Sequence, residues 1–154
     1  MFENNTTQAP TSLDPKVWGP HFWFFLHTIS LTYPVYPNAV TKKKYYDFVQ
    51  NIPLFIPVEG MAGDFSKLLD EYPVQPYLDK RESFVTWMWF IHNKINQKLE
   101  KPSISLSQFY TTYYEQYKPV GEKLNDYRKL KSRVIYFSLL SFSVFVSYYI
   151  YQKS

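Results

Sequence analysis

An uncharged run of 18 residues, Val134–Tyr151 (VIYFSLLSFSVFVSYYIY), restricts the fold of this chain more than any other feature. As an α-helix it would be about 27 Å long, which is close to the thickness of the hydrocarbon core of a membrane. A buried core helix is the alternative, but the run is bounded by Arg133 and Lys153, which suit lipid headgroups. We therefore expect a C-terminal transmembrane helix over Val134–Tyr151, with the lipid membrane as its partner.

The distribution of charge favours the same interpretation. The net charge is +4, yet residues 1–120 are neutral, with 11 basic and 11 acidic side chains. Most of the excess falls in residues 121–133, which we interpret as a basic juxtamembrane linker, and Lys153 supplies the rest. The linker has two acidic residues, Glu122 and Asp126, and five basic ones: Lys123, Arg128, Lys129, Lys131 and Arg133. Because these cations directly precede an apolar run, they indicate a membrane flank and no nucleic-acid partner. Their position predicts that the preceding domain lies on the cytoplasmic side.

The polar start of the chain, residues 1–13, is expected to be flexible. It lacks the basic and apolar segments of a secretory signal peptide, so no such signal is expected. Residues 14–120 predict one all-α domain, a four-helix bundle with a short fifth helix. Helix starts are predicted at Asp14, Asn38 and Asp79, a third helix over 59–71, and a fifth helix capped by Ser105 or Ser107. Gly19 and Pro20 are predicted to interrupt the first helix.

The chemistry open to this chain is limited by the absence of cysteine. No disulfide, thiolate nucleophile or cysteine-based metal site can form. The three histidines have no metal-binding spacing, so we predict no metal. With four glycines the sequence also offers no glycine-rich phosphate loop.

Two aromatic segments remain as candidates for a binding site. The first is WGPHFWFFLHTISLTYP, residues 18–34, and the second is WMWFIHNKINQKLEK, residues 87–101. In the second, His92 and Asn96 are four residues apart and therefore share a helix face. Polar groups on an otherwise aromatic helix need hydrogen-bonding partners. A planar ligand with polar edges would supply them.

These two segments resemble the ERV/ALR family of flavin-linked sulfhydryl oxidases. The family reads W-G-x-x-x-W-x-x-L-H…Y-P in its opening helix and H-N-x-[VI]-N-x-x-L-x-[KR] in a later one. This chain matches both motifs, over about residues 14–117, and is most similar to the short viral members. The resemblance implies a four-helix bundle with a short fifth helix that binds FAD. It implies the following cofactor-binding residues, with Lys98 as a weaker candidate: Trp18, Gly19, Trp23, His27, Tyr33, His92, Asn93, Asn96, Leu99 and Lys101.

The chain departs from the family at its catalytic centre. Where the family has Cys-x-x-Cys between the two motifs, this chain has Val58-Glu59-Gly60-Met61. The family's chemistry passes electrons from a dithiol to the flavin through a thiolate. Neither valine nor methionine can form a thiolate or a disulfide, so neither can pass electrons to the flavin in this way. The sequence thus predicts no catalytic residues at Val58 and Met61.

The leading interpretation is a catalytically inactive, membrane-anchored relative with a scaffolding role, such as linking a viral inner membrane to the capsid. Its partners would then be capsid or other virion proteins, and the resemblance implies a homodimer. A first alternative is an FAD-linked thiol oxidase of a viral disulfide-formation pathway whose catalytic cysteines have been replaced. A second is a flavin-binding module with another activity.

Overall fold

A computed structural model describes residues 13–153, and the described residues are α-helical without any strand. The helices are α1 (Pro15–Leu31), α2 (Ala39–Asn51), α3 (Glu59–Glu71), α4 (Arg81–Lys98), α5 (Leu106–Glu115) and α6 (Val120–Lys153). Two short 3-10 segments, Ile52–Phe55 and Gln75–Tyr77, connect α2 to α3 and α3 to α4. The all-α prediction and the third helix are confirmed. Apart from Leu13, the predicted flexible N-terminus lies outside the described residues.

Side-chain caps begin three of the helices where the sequence predicts them. The Asp14 carboxylate accepts a hydrogen bond from the Lys16 amide at 2.8 Å, and the Asn38 side chain accepts one from the Thr41 amide at 2.8 Å. At the start of α5, Ser105 and Gln108 form a reciprocal capping box, with distances of 3.1 and 2.8 Å. These bonds satisfy amides that have no partner within the helix.

Two sequence predictions about helix starts are wrong. Pro20 lies inside α1, which runs through it without a break. The proline removes only the bond to the carbonyl of Lys16, an exposed residue whose carbonyl water can reach. The N-cap of α4 is Lys80, one residue after the predicted Asp79, whose carboxylate instead lies 2.5 Å from the Lys42 amine.

The core forms where α1 and α3 pack against α4. Helix α4 places Phe84, Trp87, Met88 and Ile91 in the interior, each at most 1% exposed. The buried polar tips find main-chain partners: the Trp87 indole donates to the Tyr72 carbonyl at 3.0 Å. Burial of such aromatic side chains supplies most of the driving force for the fold. Helix α5 contacts α1 through Phe109, whose ring centroid lies 4.6 Å from that of His27.

Helix α4 ends in a Schellman motif built on a residue with unusual backbone geometry. The Lys101 amide donates to the Asn96 carbonyl at 2.8 Å, and the Glu100 amide donates to the Gln97 carbonyl at 3.1 Å. The backbone of Glu100 has a φ of 54°, which lies in the left-handed region that favours glycine.

Replacing Glu100 with glycine is therefore expected to stabilise the chain. Glycine adopts a positive φ without the steric cost, about 1 kcal/mol, that a residue with a Cβ atom carries there. The midpoint of thermal unfolding of the full chain in detergent should rise. Glu100→Ala is the matched control, since alanine keeps the Cβ atom and should give no such rise. An unchanged midpoint for the glycine variant would contradict the strain assigned to this position.

The chain divides into two compact units, residues up to Tyr113 and residues from Tyr114 onward. The second unit contains α6, a helix of 34 residues that is long and apolar enough to cross a membrane. Two serine hydroxyls of α6 donate hydrogen bonds to backbone carbonyls of the same helix. Ser138 donates to the Val134 carbonyl and Ser143 to the Leu140 carbonyl, each at 2.8 Å. Such internal bonds suit a helix in lipid, where water is absent. The predicted linker and anchor lie on this one continuous helix.

Candidate functional site

Three rings from α1 and α4 stack beside the core and form the centre of the candidate site. They are Trp23 and His27, one turn apart on α1, and His92 on α4, and we call them the ring cluster. The Trp23 and His92 rings are nearly parallel, with centroids 4.0 Å apart and an interplanar angle of 9°. The Trp23 and His27 centroids lie 5.5 Å apart at 24°. The structure thus brings together three residues that the sequence predicts as cofactor ligands.

Burial keeps both histidines of the ring cluster neutral. Desolvation, aided by the neighbouring His92, lowers the pKa of His27 to about 3. Desolvation, aided by the charge of Lys101, lowers the pKa of His92 to about 4. His27 Nε2 and His92 Nδ1 are 2.8 Å apart. Because two neutral rings can share only one proton along this line, one ring donates and the other accepts.

The second nitrogen of His27 is left without a partner. His27 is 6% exposed, and its Nδ1 atom makes no hydrogen bond within the described part of the chain. A buried polar atom that pairs with neither protein, water nor ligand costs about 1–3 kcal/mol.

Acidification is expected to destabilise the fold through these two histidines. Their folded-state pKa values, about 3 and about 4, lie below the value of 6.5 that serves for the unfolded chain. As the pH falls below 6.5, the unfolded chain therefore binds protons that the folded chain does not. The free energy of unfolding should drop by about 1.4 kcal/mol for each histidine and each pH unit, until the folded-state pKa is reached.

The measurement is chemical unfolding of the full chain in detergent between pH 7 and pH 5. His27→Leu combined with His92→Leu should flatten the profile. His21→Gln, which changes an exposed histidine of the same helix, should leave it as in the unmodified chain. Equal slopes in all three proteins would show that the buried pair is not the cause.

An apolar pocket lies next to the ring cluster, between α1, α3 and α4. Its walls are mostly aromatic and aliphatic, with one acidic and one basic side chain: Trp18, Phe22, Trp23, Ile56, Met61, Asp64, Phe65, Ile95, Lys98 and Leu99. The Lys98 amine lies 2.9 Å from the Asp64 carboxylate and joins α4 to α3. This hydrogen bond and the charge of Lys98 hold the pKa of Asp64 below its usual value. A pocket with stacking surfaces and few polar groups suits a large planar ligand.

The two residues in place of the missing dithiol lie at the start of α3. Val58 is the N-cap of that helix, and its carbonyl accepts a hydrogen bond from the Ala62 amide at 2.9 Å. Met61, in the first turn, lines the apolar pocket together with Trp18 and Trp23. Nothing in this pair can donate electrons as a thiolate does.

The remaining predicted residues have different surroundings. Trp18 and Leu99 line the apolar pocket. Tyr33 is fully buried in the core, where its hydroxyl donates to the Leu78 carbonyl at 2.8 Å, and burial raises its pKa. Gly19 has open space where a Cβ atom would lie, and Lys101 is exposed just beyond α4.

The two asparagines of α4 are both buried, but only one has a side-chain role defined by this structure. Both polar ends of the Asn93 side chain bond the main chain of Ile104, at 2.9 Å each. Asn93 thereby ties the segment before α5 to α4. The Asn96 carbonyl accepts one of the two bonds of the Schellman motif, from the Lys101 amide. The roles of both in cofactor binding stay predictions.

Several pocket residues were not predicted as site residues from the sequence: Phe22, Ile56, Asp64, Phe65 and Ile95. Helical spacing could have indicated two of them. Phe65 is one turn after Met61, and Ile95 is one turn before Leu99, so each shares a face with a predicted position. Among residues 13–153 no group of histidine and acidic side chains could hold a metal ion.

Comparison with known proteins identifies relatives of the helical domain. Residues 20–118 match the profile of the Erv1 / Alr family. The FAD-linked sulfhydryl oxidase of African swine fever virus is 30% identical over 99 residues, which are 64% of this chain and 81% of the viral protein. The mitochondrial FAD-linked sulfhydryl oxidase erv1 of Schizosaccharomyces pombe is 30% identical over 104 residues, which are 64% of this chain and 57% of that protein. A mimivirus protein named as a probable FAD-linked sulfhydryl oxidase is 32% identical over 85 residues, 54% of this chain and 59% of its own length. The chain thus spans less than two thirds of the length of the last two relatives.

Solved structures give the same result for the fold. The FAD-binding domain of Erv1 from Saccharomyces cerevisiae superposes with a TM-score of 0.61 and 28% identity, covering 67% of this chain and 96% of that domain. A mutant of Erv1 from the same yeast, in which two cysteines are replaced by serine, superposes with a TM-score of 0.59 and 27% identity, covering 77% of this chain and 95% of that one.

Proposed function

Because this chain belongs to the Erv1 / Alr family, we propose that it is a membrane-anchored, FAD-binding protein with the fold of a sulfhydryl oxidase that does not itself oxidise thiols. The observation that carries this proposal is the pair Val58 and Met61. They lie at the start of α3, at the positions that correspond in sequence to the dithiol of the family's motif. Met61 lines the apolar pocket, and the chain contains no cysteine.

The residues of the site fit FAD. The Trp18 and Trp23 rings line the pocket and offer surfaces for stacking, and the exposed Lys101 offers positive charge for a diphosphate. The Nδ1 atom of His27 is buried and unpaired, which suits a site that a polar ligand completes. When bound, FAD supplies a two-electron acceptor. The chain's own residues would stack against the cofactor, neutralise its phosphates and exclude water from the pocket.

Thiol oxidation fails in this chain because the electron donor is missing. A dithiol reduces flavin through a thiolate held next to it. The Val58 side chain has no nucleophilic atom, and the Met61 thioether cannot form a disulfide. Without cysteine the chain also has no shuttle that could carry electrons from a substrate.

The function that remains is a structural one. A rigid helical domain is held at a membrane by α6 and has aromatic surfaces for protein partners. We propose a role such as scaffolding between a viral inner membrane and the capsid, with a homodimer or virion proteins as partners. The alternative is a thiol oxidase with the same fold whose catalytic cysteines have been replaced.

The test is to purify the full chain in detergent with added FAD and to record its visible spectrum and its oxygen consumption with dithiothreitol. A flavin band that stays with the protein, without turnover, is the expected result. Flavin-dependent turnover by the unmodified chain would overturn the proposal. Failure to take up FAD at micromolar concentration would show that only the fold is retained.

Removal of the apolar part of α6 is expected to release the domain from membranes. The full chain should stay in the pellet after alkaline carbonate extraction, because an uncharged helix of 18 residues is stable in the hydrocarbon core. A chain that ends at residue 126 should be found in the supernatant. Full-length protein in the soluble fraction without detergent would contradict the anchor.

A further inference from the structure

We propose that the first half of α6 binds the anionic headgroups of the membrane that the second half crosses. The surface concerned, here called the basic segment, comprises residues 123–133 and carries five cations: Lys123, Arg128, Lys129, Lys131 and Arg133. This inference rests on the proposed membrane anchor and adds a lipid specificity to it.

The first argument is the continuity of the helix. Helix α6 runs from Val120 to Lys153 without a break, so Arg133 directly precedes the apolar run. At the α-helical rise the basic segment extends about 15 Å along the axis from the edge of that run. Four of its cations, from Arg128 to Arg133, therefore lie within about 8 Å of that edge, which is about one Debye length at physiological salt, and Lys123 lies farther out. Since successive residues turn by about 100°, the five side chains point in different directions and some face the lipid at any tilt.

The second argument is that these cations have no carboxylate partners. Among the described residues, none of the five forms an ion pair, and all are exposed. Lys42, Lys43 and Lys98 of the first unit, by contrast, each pair with an aspartate. One of the two acidic residues in the first half of α6, Asp126, lies 3.7 Å from Lys118. The positive charge of the basic segment is thus available to a partner outside the chain.

The third argument concerns the side chains between the cations. Leu124, Tyr127 and Leu130 are spaced along one side of the helix and are 52%, 64% and 60% exposed. Leucine and tyrosine next to lysine and arginine are typical of helix surfaces at the membrane interface, where apolar groups enter the boundary and cations meet phosphates. A nucleic-acid backbone would use the cations and leave these apolar groups in water, so anionic lipid is the better match.

The absence of cysteine makes a clean test available, because a single introduced cysteine is the only labelling site. Leu124→Cys carries a fluorophore in the full chain, embedded in nanodiscs of phosphatidylcholine. A small fraction of the lipid bears a quencher on its headgroup, either phosphatidylserine or phosphatidylcholine. Each cation near the surface enriches anionic lipid roughly fivefold, so quenching by labelled phosphatidylserine should exceed that by labelled phosphatidylcholine at least about fivefold. The difference should disappear in 1 M salt, where the Debye length is about 3 Å.

Two variants that lose the same number of positive charges distinguish an effect of the basic segment from an effect of the net charge. Replacing its five cations with glutamine should abolish the preference. Replacing five lysines of the first unit with glutamine should preserve it, since these lie outside the segment: Lys16, Lys44, Lys67, Lys80 and Lys94. Equal quenching by both lipids in the unmodified chain would overturn the proposal. An equal loss of the phosphatidylserine preference in both variants would also overturn the proposal.

A second label keeps the failure of this inference distinct from failure of the anchor. With Val144→Cys labelled, a quencher on the acyl chains reports insertion of the apolar run. If the apolar run inserts but the basic segment shows no preference for anionic headgroups, the lipid specificity is overturned and the proposed membrane anchor still holds. Absence of insertion would overturn both. Binding of a duplex oligonucleotide through the same five cations, without headgroup preference, would replace lipid by nucleic acid as the partner.

Discussion

Val58→Cys combined with Met61→Cys is expected to give the chain a dithiol oxidase activity that it otherwise lacks. The two positions are three residues apart at the N-cap and in the first turn of α3. Residues with this spacing lie on the same side of a helix end, and Cα atoms about 5–6 Å apart can be joined by a disulfide. Met61 already lines the apolar pocket, so a cysteine there would face the proposed cofactor.

The position at a helix start also favours the reactive form of the thiol. Unpaired amides at the start of α3 stabilise a negative charge, and thioredoxin-like pKa values near 7 raise the thiolate fraction at neutral pH roughly tenfold over a free cysteine. The electron balance would then be complete: the two thiols lose two electrons and two protons and form a disulfide, dithiothreitol reduces that disulfide again, and oxygen is reduced to hydrogen peroxide. Bound FAD would supply the acceptor between the dithiol and oxygen.

The assay compares oxygen consumption with dithiothreitol and FAD for the unmodified chain, each single variant and the double variant. The singles are the matched controls, because one cysteine cannot form the internal disulfide. Activity in the double variant alone is the expected result. A folded, FAD-loaded double variant without activity would show that these two positions are not the counterparts of the family's dithiol.

Much of the fold follows from local signals in the sequence. Asp14 and Asn38 are helix caps because a short polar side chain precedes an apolar periodic run, and the structure has the same caps. Pro20 is the instructive exception. A proline usually ends a helix, but here one lost hydrogen bond at an exposed carbonyl is outweighed by packing of the residues that follow, from Phe22 to Ser30.

Only some residues of the candidate site were predictable from the sequence, and its arrangement was not. Matching motifs pointed to His27 and His92, but only the packing of α1 against α4 places Nε2 of one within 2.8 Å of Nδ1 of the other. The dual bond of Asn93 to Ile104 joins residues eleven apart and depends on the course of the connecting segment. The Asp64–Lys98 pair likewise joins two helices, and no periodicity in one helix can predict such a contact.

Trp23→Ala combined with His92→Ala is expected to abolish FAD binding at micromolar concentration. Trp23 lines the apolar pocket, and the His92 ring is stacked against it at 4.0 Å, so His92 holds in place the ring on which we expect the cofactor to stack. Loss of an aromatic ring that stacks on a base costs about 1–3 kcal/mol. Two such losses should weaken binding roughly 30-fold or more.

The matched control removes one tryptophan and one histidine elsewhere. Trp89 of α4 is half-buried outside the apolar pocket, where its indole donates to the Ile104 carbonyl at 2.9 Å, and His21 is exposed on α1. Trp89→Ala with His21→Ala should therefore retain FAD. Trp23→Phe, which keeps an aromatic ring, should recover part of the binding that Trp23→Ala loses.

The readouts are the visible flavin band retained after gel filtration and the midpoint of thermal unfolding with and without FAD. Removing His92 takes away the partner of His27 Nε2 and leaves that buried ring without a hydrogen bond at either nitrogen, so the double variant should also be less stable without cofactor. The midpoint without FAD separates that loss from loss of affinity. If the double variant is folded and binds FAD as tightly as its control, the cofactor lies elsewhere and the ring cluster is only part of the core.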